Sequence, residues 1–282
     1  MKQAAGVASA GSFEMRKGGL MSEEVLLIEK KDHICTLTIN RPDRRNALTL
    51  EILYRLGDTF RTLGDDKDVR VVVLTGAGEK AFSSGMDLGG GGIVSAEEMA
   101  QKGNPIDYAV DGIINYPFPV IAMVNGAAMG AGCDMAVTCD LRVAADTAKM
   151  GINPVKLGGV YHPPGIQRLM NVVGLPRAKE LFYTGRFIDA QRAERIGLVD
   201  YVVPLEELPT KTYELAEEIA GNAPLAVSAT KKIFNKLLKY QRMSPEDEAE
   251  AMALVDAADK SEDRSEGFMA FMAKRKPEFK GK

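Results

Sequence analysis

The stretch at residues 119–136 constrains the fold more than any other part of the sequence. Residues 119–124 form an apolar run that is typical of a strand, and five of the six positions from Gly126 to Ala131 are glycine or alanine. Helix-compatible residues then continue to Cys139. Because a turn with so few side chains lets another group approach the backbone closely, this stretch predicts a strand, a tight turn and a helix.

A helix that begins at this turn would direct unpaired N–H groups and the positive end of its dipole outward. Such an end can bind an anion, or it can stabilise an oxyanion that forms only during a reaction. The same residues also fit a buried helix that packs tightly against a sheet. The stretch alone leaves both interpretations open.

The overall composition excludes several functional classes. The formal net charge of −3 provides no basic surface for nucleic acid. Three cysteines without a CxxC pair, and only two histidines, indicate free thiols in a reducing compartment and no histidine-built zinc site. The longest apolar run, residues 119–139, contains Asn125 and Asp134, which argues against a membrane span. We therefore expect a cytoplasmic protein with no metal, nucleic-acid or membrane partner.

Strands and helices alternate along the first part of the chain, which indicates an α/β architecture. Apolar and β-branched runs predict strands at residues 25–29, 33–39, 71–75, 119–124, 141–145 and 198–203. Helical spacing predicts helices at residues 50–64, 95–115, 165–173, 176–184 and 190–196, and through most of 206–273 with breaks before Pro224 and Pro245. Thr49, Asp189 and Ser244 are the expected N-caps.

These patterns divide the chain into three parts. We expect residues 1–22 to be a disordered extension or translated leader, with Met21 as an alternative start, because Lys17-Gly18-Gly19 can be encoded by a ribosome-binding sequence. Residues 23–205 form the predicted α/β core domain, and residues 206–282 form a helical region.

Four motifs in this order resemble the enoyl-CoA hydratase/isomerase (crotonase) superfamily. They are Asn40-Arg41-Pro42 with Asn46-Ala47-Leu48, residues 82–87, residues 124–136, and residues 264–277. The resemblance implies a crotonase (ClpP-like) superhelix of repeated ββα units, followed by a C-terminal helical region that completes the substrate site and trimerises. It also implies an acyl-CoA thioester as substrate, no further cofactor, and a homotrimer or dimer of trimers.

The resemblance assigns roles to specific residues. The backbone N–H groups of Met86 and Ala131 would form the oxyanion hole that holds a thioester enolate, and losing one such donor typically costs ~3 kcal/mol of barrier. The positions that would contact coenzyme A are Arg45, Ala47, Ser84, Asp87, Leu88, Gly130, Pro154, Lys274 and Lys276.

The chain departs from the superfamily pattern at its catalytic carboxylates. Hydratases of the family add water with two carboxylates, and here the first position is Asp134 instead of the usual Glu. Pro154 stands at the second position, and proline can be neither an acid nor a base. The usual hydratase pair is therefore incomplete.

The loop at residues 153–161 instead resembles that of methylmalonyl-CoA decarboxylases in the same superfamily. Those enzymes have a small polar residue and a tyrosine at the positions of Asn153 and Tyr161, although they have histidine where Met86 stands. Decarboxylation needs no carboxylate base, and a nearby anion would repel the substrate carboxylate. Neutral donors such as Asn153 and Tyr161 would orient that carboxylate.

Three functions remain open at this point. The first is a hydratase or isomerase in which Asp134 acts as acid or base together with Asp107 or Asp111. The second is a decarboxylase that uses Asn153 and Tyr161. The third is a non-catalytic protein that binds acyl-CoA. Asp134 could instead serve the helix dipole, and His162 is either a proton donor or a structural residue.

Overall fold

The computed structural model describes residues 24–89, 94–239 and 244–281 of the chain. The extension expected at residues 1–22 lies outside the described residues. The strands are β1 (Leu26–Lys31), β2 (Ile34–Ile39), β3 (Val71–Gly76), β4 (Ala81–Ser83), β5 (Val120–Val124), β6 (Ala127–Met129), β7 (Leu141–Ala145), β8 (Lys149–Gly151), β9 (Ile188–Asp189) and β10 (Tyr201–Val203).

The helices begin after β2 and dominate the chain beyond residue 205. They are α1 (Leu50–Gly64), α2 (Ala96–Lys102), α3 (Pro105–Asn115), α4 (Ala131–Thr138), α5 (Pro163–Thr184), α6 (Ala190–Arg195), α7 (Leu208–Gly221), α8 (Pro224–Lys239), α9 (Pro245–Asp259) and α10 (Glu262–Met272). Gly174, with a φ of 76°, interrupts α5 between the two helices predicted there. Short 3₁₀ helices lie at Pro42–Arg44, Pro154–Leu157 and Leu205–Glu207.

Two sheets form the centre of the molecule. The larger sheet has the order β1-β2-β3-β5-β7-β10 and is parallel except for the β1–β2 hairpin. The smaller sheet has the order β4-β6-β8-β9 and is parallel except where β9 joins β8. Successive chain segments therefore contribute one strand to each sheet and then a helix. This arrangement is the predicted repeat of ββα units.

The larger sheet is covered on both faces, as expected for a parallel sheet. Val72 and Leu74 of β3 face the main core, which α1 also enters. Val71 and Val73 face a second core that is closed by α7. The helix α7 therefore packs on the sheet although it lies beyond residue 205. The division of domains at residue 205 stays a prediction.

The N-caps predicted from the sequence are confirmed. Thr49, Asp189 and Ser244 each accept a hydrogen bond from a backbone N–H in the first turn of α1, α6 and α9. These side chains satisfy donors that the helix cannot satisfy itself.

The prediction of one helix over residues 95–115 is wrong. Gly103 adopts a left-handed φ of 72° and ends α2, and Asn104 then caps α3, whose first residue is Pro105. Proline fits the first position of a helix, so Asn104-Pro105 is a start signal. The short strands of the smaller sheet were also missed, because Ala81–Ser83 and Ala127–Met129 have few β-branched residues.

Asn46 fixes the loop between β2 and α1. Its side chain is buried, donates to the carbonyl oxygens of Ala77 and Ala81, and accepts from the Arg41 N–H. Its φ of 56° lies in the left-handed region, which asparagine tolerates better than most residues. Asn46 thereby holds Leu48 beside residues 85–87.

The helices α8, α9 and α10 carry an apolar surface that the single chain leaves exposed. Leu225 is 86% exposed, and the other members of this apolar surface are Ile233, Phe234, Leu237, Leu254, Met269, Phe271 and Met272. No helix within the described ranges is both long and apolar enough to cross a membrane.

Candidate active site

The segment 85–87 presents the Met86 amide away from the loop that supports it. Leu48 donates its N–H to the carbonyl of Gly85 at 2.8 Å, and Asp87 donates its N–H to the carbonyl of Leu48 at 2.9 Å. In an extended segment the amides alternate in direction, so the Met86 N–H points to the opposite side. No hydrogen bond joins it to any acceptor in the part of the chain that the structure describes.

The turn from β6 into α4 presents a second set of amides. Gly130 has a φ of 52°, donates its N–H to Gly151 at 2.9 Å, and accepts the N–H of Asp134 at 3.0 Å. Ala131 is the first helical residue, so its N–H has no partner within the helix. Among the described residues it has no other acceptor either.

Glycines bring the two segments into contact. A Cβ atom added to Gly85 would lie 2.7 Å from the carbonyl oxygen of Met129 and 3.5 Å from the amide nitrogen of Ala131. A Cβ atom added to Gly132 would lie 2.5 Å from the carbonyl oxygen of Ser83. Only glycine permits this approach. The Met86 and Ala131 amides thus lie on adjoining backbone segments, which suits them to stabilise one oxyanion; that role stays a prediction.

Asp134 lies in the same helix, and its carboxylate is fully buried. Arg168 of α5 forms a bidentate ion pair with it, at 2.9 Å from Nε to Oδ1 and 2.6 Å from Nη2 to Oδ2. The Tyr161 hydroxyl donates to Oδ2 at 2.8 Å, and Nε2 of His162 lies 3.4 Å from the same oxygen. The carboxylate is surrounded by donors.

These contacts argue against the predicted acid/base role of Asp134. Burial raises the pKa of this carboxyl, but hydrogen bonds and charge from His162 and Arg168 outweigh burial and lower the pKa to about 2. A carboxylate with so low a pKa is a poor base and holds no proton to donate near neutral pH. The carboxylate joins α4 to α5 through Arg168, and an acid/base role of Asp134 stays a prediction that these contacts do not favour.

Tyr161 has its single proton directed at Asp134. Burial and the neighbouring Asp134 charge raise the pKa of this hydroxyl well above its usual value, so it stays protonated. The hydroxyl cannot donate to a substrate carboxylate at the same time, and the predicted donor role of Tyr161 is not supported. The Asn153 side chain, by contrast, makes no hydrogen bond to the described part of the protein, and Pro154 begins the 3₁₀ helix that follows it.

The two aspartates considered as partners of Asp134 lie in different places on α3. Oδ1 of Asp107 is 3.9 Å from Nδ1 of His162, so Asp107 adjoins the cluster around Asp134. Asp111 lies one turn later, in a shallow surface depression with Asp65 and Asn115. Only Asp107 belongs to this site.

Most of the predicted coenzyme A residues come together around Met86. Ser84 donates its N–H to the carbonyl of Arg45 at 2.9 Å. Arg41 bridges the two loops by bonding the Ala47 carbonyl at 2.7 Å and the Asp87 carboxylate at 2.9 Å. Leu88 is exposed beside them.

The two predicted lysines lie elsewhere. Lys274 and Lys276 are exposed and flank Arg275, whose guanidinium pairs with Glu266. They follow α10, which packs against the 3₁₀ helix at Pro154–Leu157, where a Cβ atom added to Gly267 would lie 2.5 Å from the carbonyl carbon of Leu157. Their contact with coenzyme A stays a prediction.

Arg168 is the residue that sequence analysis missed. A buried aspartate in an apolar helix needs a cation, which was the available signal. The chain has 36 lysines and arginines, and nothing in the sequence selects the one that lies 34 positions away.

Comparison with known proteins places this chain in a family. The family model described as enoyl-CoA hydratase/isomerase matches residues 29–282. The chain belongs to the enoyl-CoA hydratase/isomerase family. A crotonyl-CoA hydratase of Syntrophomonas wolfei is 37% identical over 92% of this chain and 99% of its own length.

Solved structures of the family share the crotonase fold of this chain. A methylmalonyl-CoA decarboxylase in complex with 2-nitronate-propionyl-CoA is 30% identical, with a TM-score of 0.83 over 93% of this chain and all of that one. An enoyl-CoA hydratase/isomerase from Pseudoalteromonas atlantica is 27% identical, with a TM-score of 0.81 over 91% of this chain and all of that one. The family therefore includes both hydratases and decarboxylases of the same architecture.

The ion pair predicts how the stability of this family member depends on pH. The pKa of the Asp134 carboxyl is 3.8 in the unfolded chain and about 2 in the folded protein. Acidification from about pH 5 to pH 2 therefore favours the unfolded state by about 2 kcal/mol through this residue. Urea unfolding across that pH range measures the free energy of unfolding of the wild type and of Asp134→Asn. Only the wild type should show this additional decrease in the free energy of unfolding. Parallel loss in both proteins would contradict the assignment, since the other carboxylates are common to the two.

Proposed function

We propose that this protein decarboxylates a malonyl-type CoA thioester, in which the α-carbon carries a carboxylate. One observation carries the proposal: in a helix that begins with one of two backbone amides lacking an acceptor among the described residues, Arg168 already neutralises the carboxylate of Asp134. The family resemblance also assigns the second acid/base position to Pro154. Such a site is suited to stabilise an enolate, but it offers no adequate carboxylate base to make one by removing a proton.

Loss of CO2 creates the enolate without a base. The bond between the α-carbon and the carboxylate breaks, its electron pair moves toward the thioester carbonyl, and the oxygen becomes an oxyanion. The N–H groups of Met86 and Ala131 would bind that oxyanion as its charge develops, and each such donor is worth ~3 kcal/mol of barrier. A proton then adds to the α-carbon.

The pairing of Asp134 also favours a substrate that carries a charge. An unpaired carboxylate about 4 Å from the substrate carboxylate would repel it by about 1–4 kcal/mol. Arg168 offsets that repulsion, and the Asn153 amide offers a neutral donor. The structural similarity to a methylmalonyl-CoA decarboxylase supports the same chemistry.

Hydration of an enoyl-CoA is the second candidate, favoured by the 37% identity to a crotonyl-CoA hydratase. It would need an acid and a base from Asp107 and His162, since Asp134 is ion-paired. Binding of acyl-CoA without turnover is the remaining alternative.

Incubation with methylmalonyl-CoA, malonyl-CoA and crotonyl-CoA, followed by mass measurement of the products, distinguishes these functions. We expect loss of CO2 from one or both of the first two and no change in the third. Addition of water to crotonyl-CoA, with no loss of CO2, would refute the proposal. Binding without any product would indicate a non-catalytic homologue.

A single substitution sharpens this test. Pro154→Glu adds a carboxylate at the position where family hydratases have one, so it should slow CO2 release at least about tenfold by repelling the substrate carboxylate. Pro245→Glu is the matched control and should leave the rate unchanged, because Pro245 begins α9 whereas the other end of that helix contacts the loop after Pro154.

We further propose that the protein assembles as a homotrimer or a dimer of trimers in the cytoplasm. The support is the set of large apolar side chains that α8, α9 and α10 leave exposed, among them Leu225, Leu254 and Met272, since exposed apolar patches mark interaction surfaces. Light scattering coupled to size-exclusion chromatography should give three or six times the chain mass of 30.5 kDa. A monomer at micromolar concentration would contradict this proposal.

A further inference from the structure

His162 connects the buried Asp134 carboxylate to the surface. Its Nε2 atom lies 3.4 Å from Oδ2 of Asp134, and its Nδ1 atom lies 3.9 Å from Oδ1 of Asp107. The exposed fraction of the side chains falls from 50% at Asp107 to 20% at His162 and 1% at Asp134. The imidazole thus spans the distance between solvent and the interior of the site.

The charged groups that face this imidazole come from three helices. They are Asp107 of α3, Asp134 of α4, and Arg168 of α5, whose Nη2 atom lies 3.5 Å from Nε2. The Tyr161 ring packs against the imidazole with the ring centroids 4.6 Å apart. These contacts fix the ring in place, which a proton donor requires.

The position of Asp134 places the imidazole close to the predicted oxyanion site. Ala131 and Asp134 are three residues apart in α4, so they share one face of the helix. Side chains on a helix lean toward its N-terminus, which directs the Asp134 carboxylate back toward the Ala131 amide. An imidazole in contact with that carboxylate therefore adjoins the space where the thioester carbonyl and its α-carbon would lie.

The other polar side chains of the cluster are poor proton donors. Asp134 is ionised, and Arg168 keeps its protons at any physiological pH. The proton of Tyr161 is bonded to Asp134. The imidazole of His162, in contrast, has two ring nitrogens, one beside Asp107 and one beside Asp134, and either can carry a proton.

We propose that His162 donates the proton that the α-carbon of the enolate receives, and that it regains this proton from solvent on the Asp107 side. The inference rests on the proposed function. In the step, the enolate electron pair forms a C–H bond at the α-carbon, the N–H bond of the imidazolium breaks, and the oxyanion returns to a thioester carbonyl. Neutral imidazole remains and takes up a proton from water.

The test measures proton transfer separately from loss of CO2. By microscopic reversibility, a group that protonates the enolate also removes a proton from the saturated product. In deuterium oxide the wild type should therefore exchange an α-hydrogen of propionyl-CoA for deuterium. His162→Asn should slow this exchange by about a hundredfold or more. His33 is the only other histidine of the chain and lies on an exposed turn. His33→Asn is therefore the matched control and should exchange the α-hydrogen at the wild-type rate.

The same variants are then given methylmalonyl-CoA in deuterium oxide. We expect the wild type and His33→Asn to form propionyl-CoA with deuterium in a single configuration. His162→Asn should still release CO2 but should yield a mixture of configurations, because water then protonates the enolate from either side. Binding of propionyl-CoA by His162→Asn, or by His162→Gln if the first variant does not fold, establishes an intact site.

The outcomes separate the two proposals. Normal exchange and a single configuration in His162→Asn would overturn the role of His162 while leaving decarboxylation standing. The wild type could instead exchange the α-hydrogen in a way that depends on His162 but release no CO2. That result would support His162 as the proton donor and refute decarboxylation. Absence of both exchange and CO2 release in the wild type would overturn both.

Discussion

The ion pair between Asp134 and Arg168 is the interaction on which the proposed chemistry depends. It joins the first turn of α4, which presents the Ala131 amide, to α5, which follows the loop of Asn153 and Pro154. A buried charge is stable only if it is paired and hydrogen-bonded, and here the carboxylate has donors from Arg168, Tyr161 and His162. All three side chains converge on this one anion.

The same pair determines what the site can do. A free carboxylate at Asp134 would serve as an acid or a base, as one of the two that hydratases of the family use. Once Arg168 neutralises it, the remaining elements are two backbone amides, an unbonded Asn153 amide and the pair of Asp107 with His162. Breaking a buried pair typically costs 3–5 kcal/mol, so the site does not readily return Asp134 to an acid/base role. In the proposed function, decarboxylation instead of hydration thus follows from the partner of a residue as well as from the residue itself.

Much of the fold could be predicted because its signals are local. Thr49 and Ser244 predict the helix starts that follow them, because an N-cap and its partner lie within four residues of each other. The β-branched run of β3 predicts a strand that is buried on both faces. The short strands of the smaller sheet have no such signal in their sequence. They are strands because they pair with neighbouring strands, and their own residues do not favour strand formation. The break between α2 and α3 also has a local signal, since Gly103 ends one helix and Asn104-Pro105 begins the next.

The site was predictable only where motifs carry it. The segments of Met86 and Ala131 were identified, and the structure brings them together. The partner of Asp134 was not identified, because an ion pair across 34 positions leaves no pattern in the sequence. Because the sequence does not reveal Arg168 as this partner, it allows two predictions: that Asp134 acts as an acid, and that the Tyr161 hydroxyl is free to donate to a substrate.

The most direct test of the central claim is the Ala131→Pro variant. Proline fits the first position of a helix, where it replaces the N–H by the ring Cδ, so the fold should persist while half of the oxyanion site is lost. Ala96→Pro makes the same change at the exposed start of α2 and controls for the substitution itself. The account predicts that Ala131→Pro releases CO2 from methylmalonyl-CoA at least about a hundredfold more slowly than the wild type, with Ala96→Pro unaffected. Undiminished release by a folded Ala131→Pro protein would contradict it.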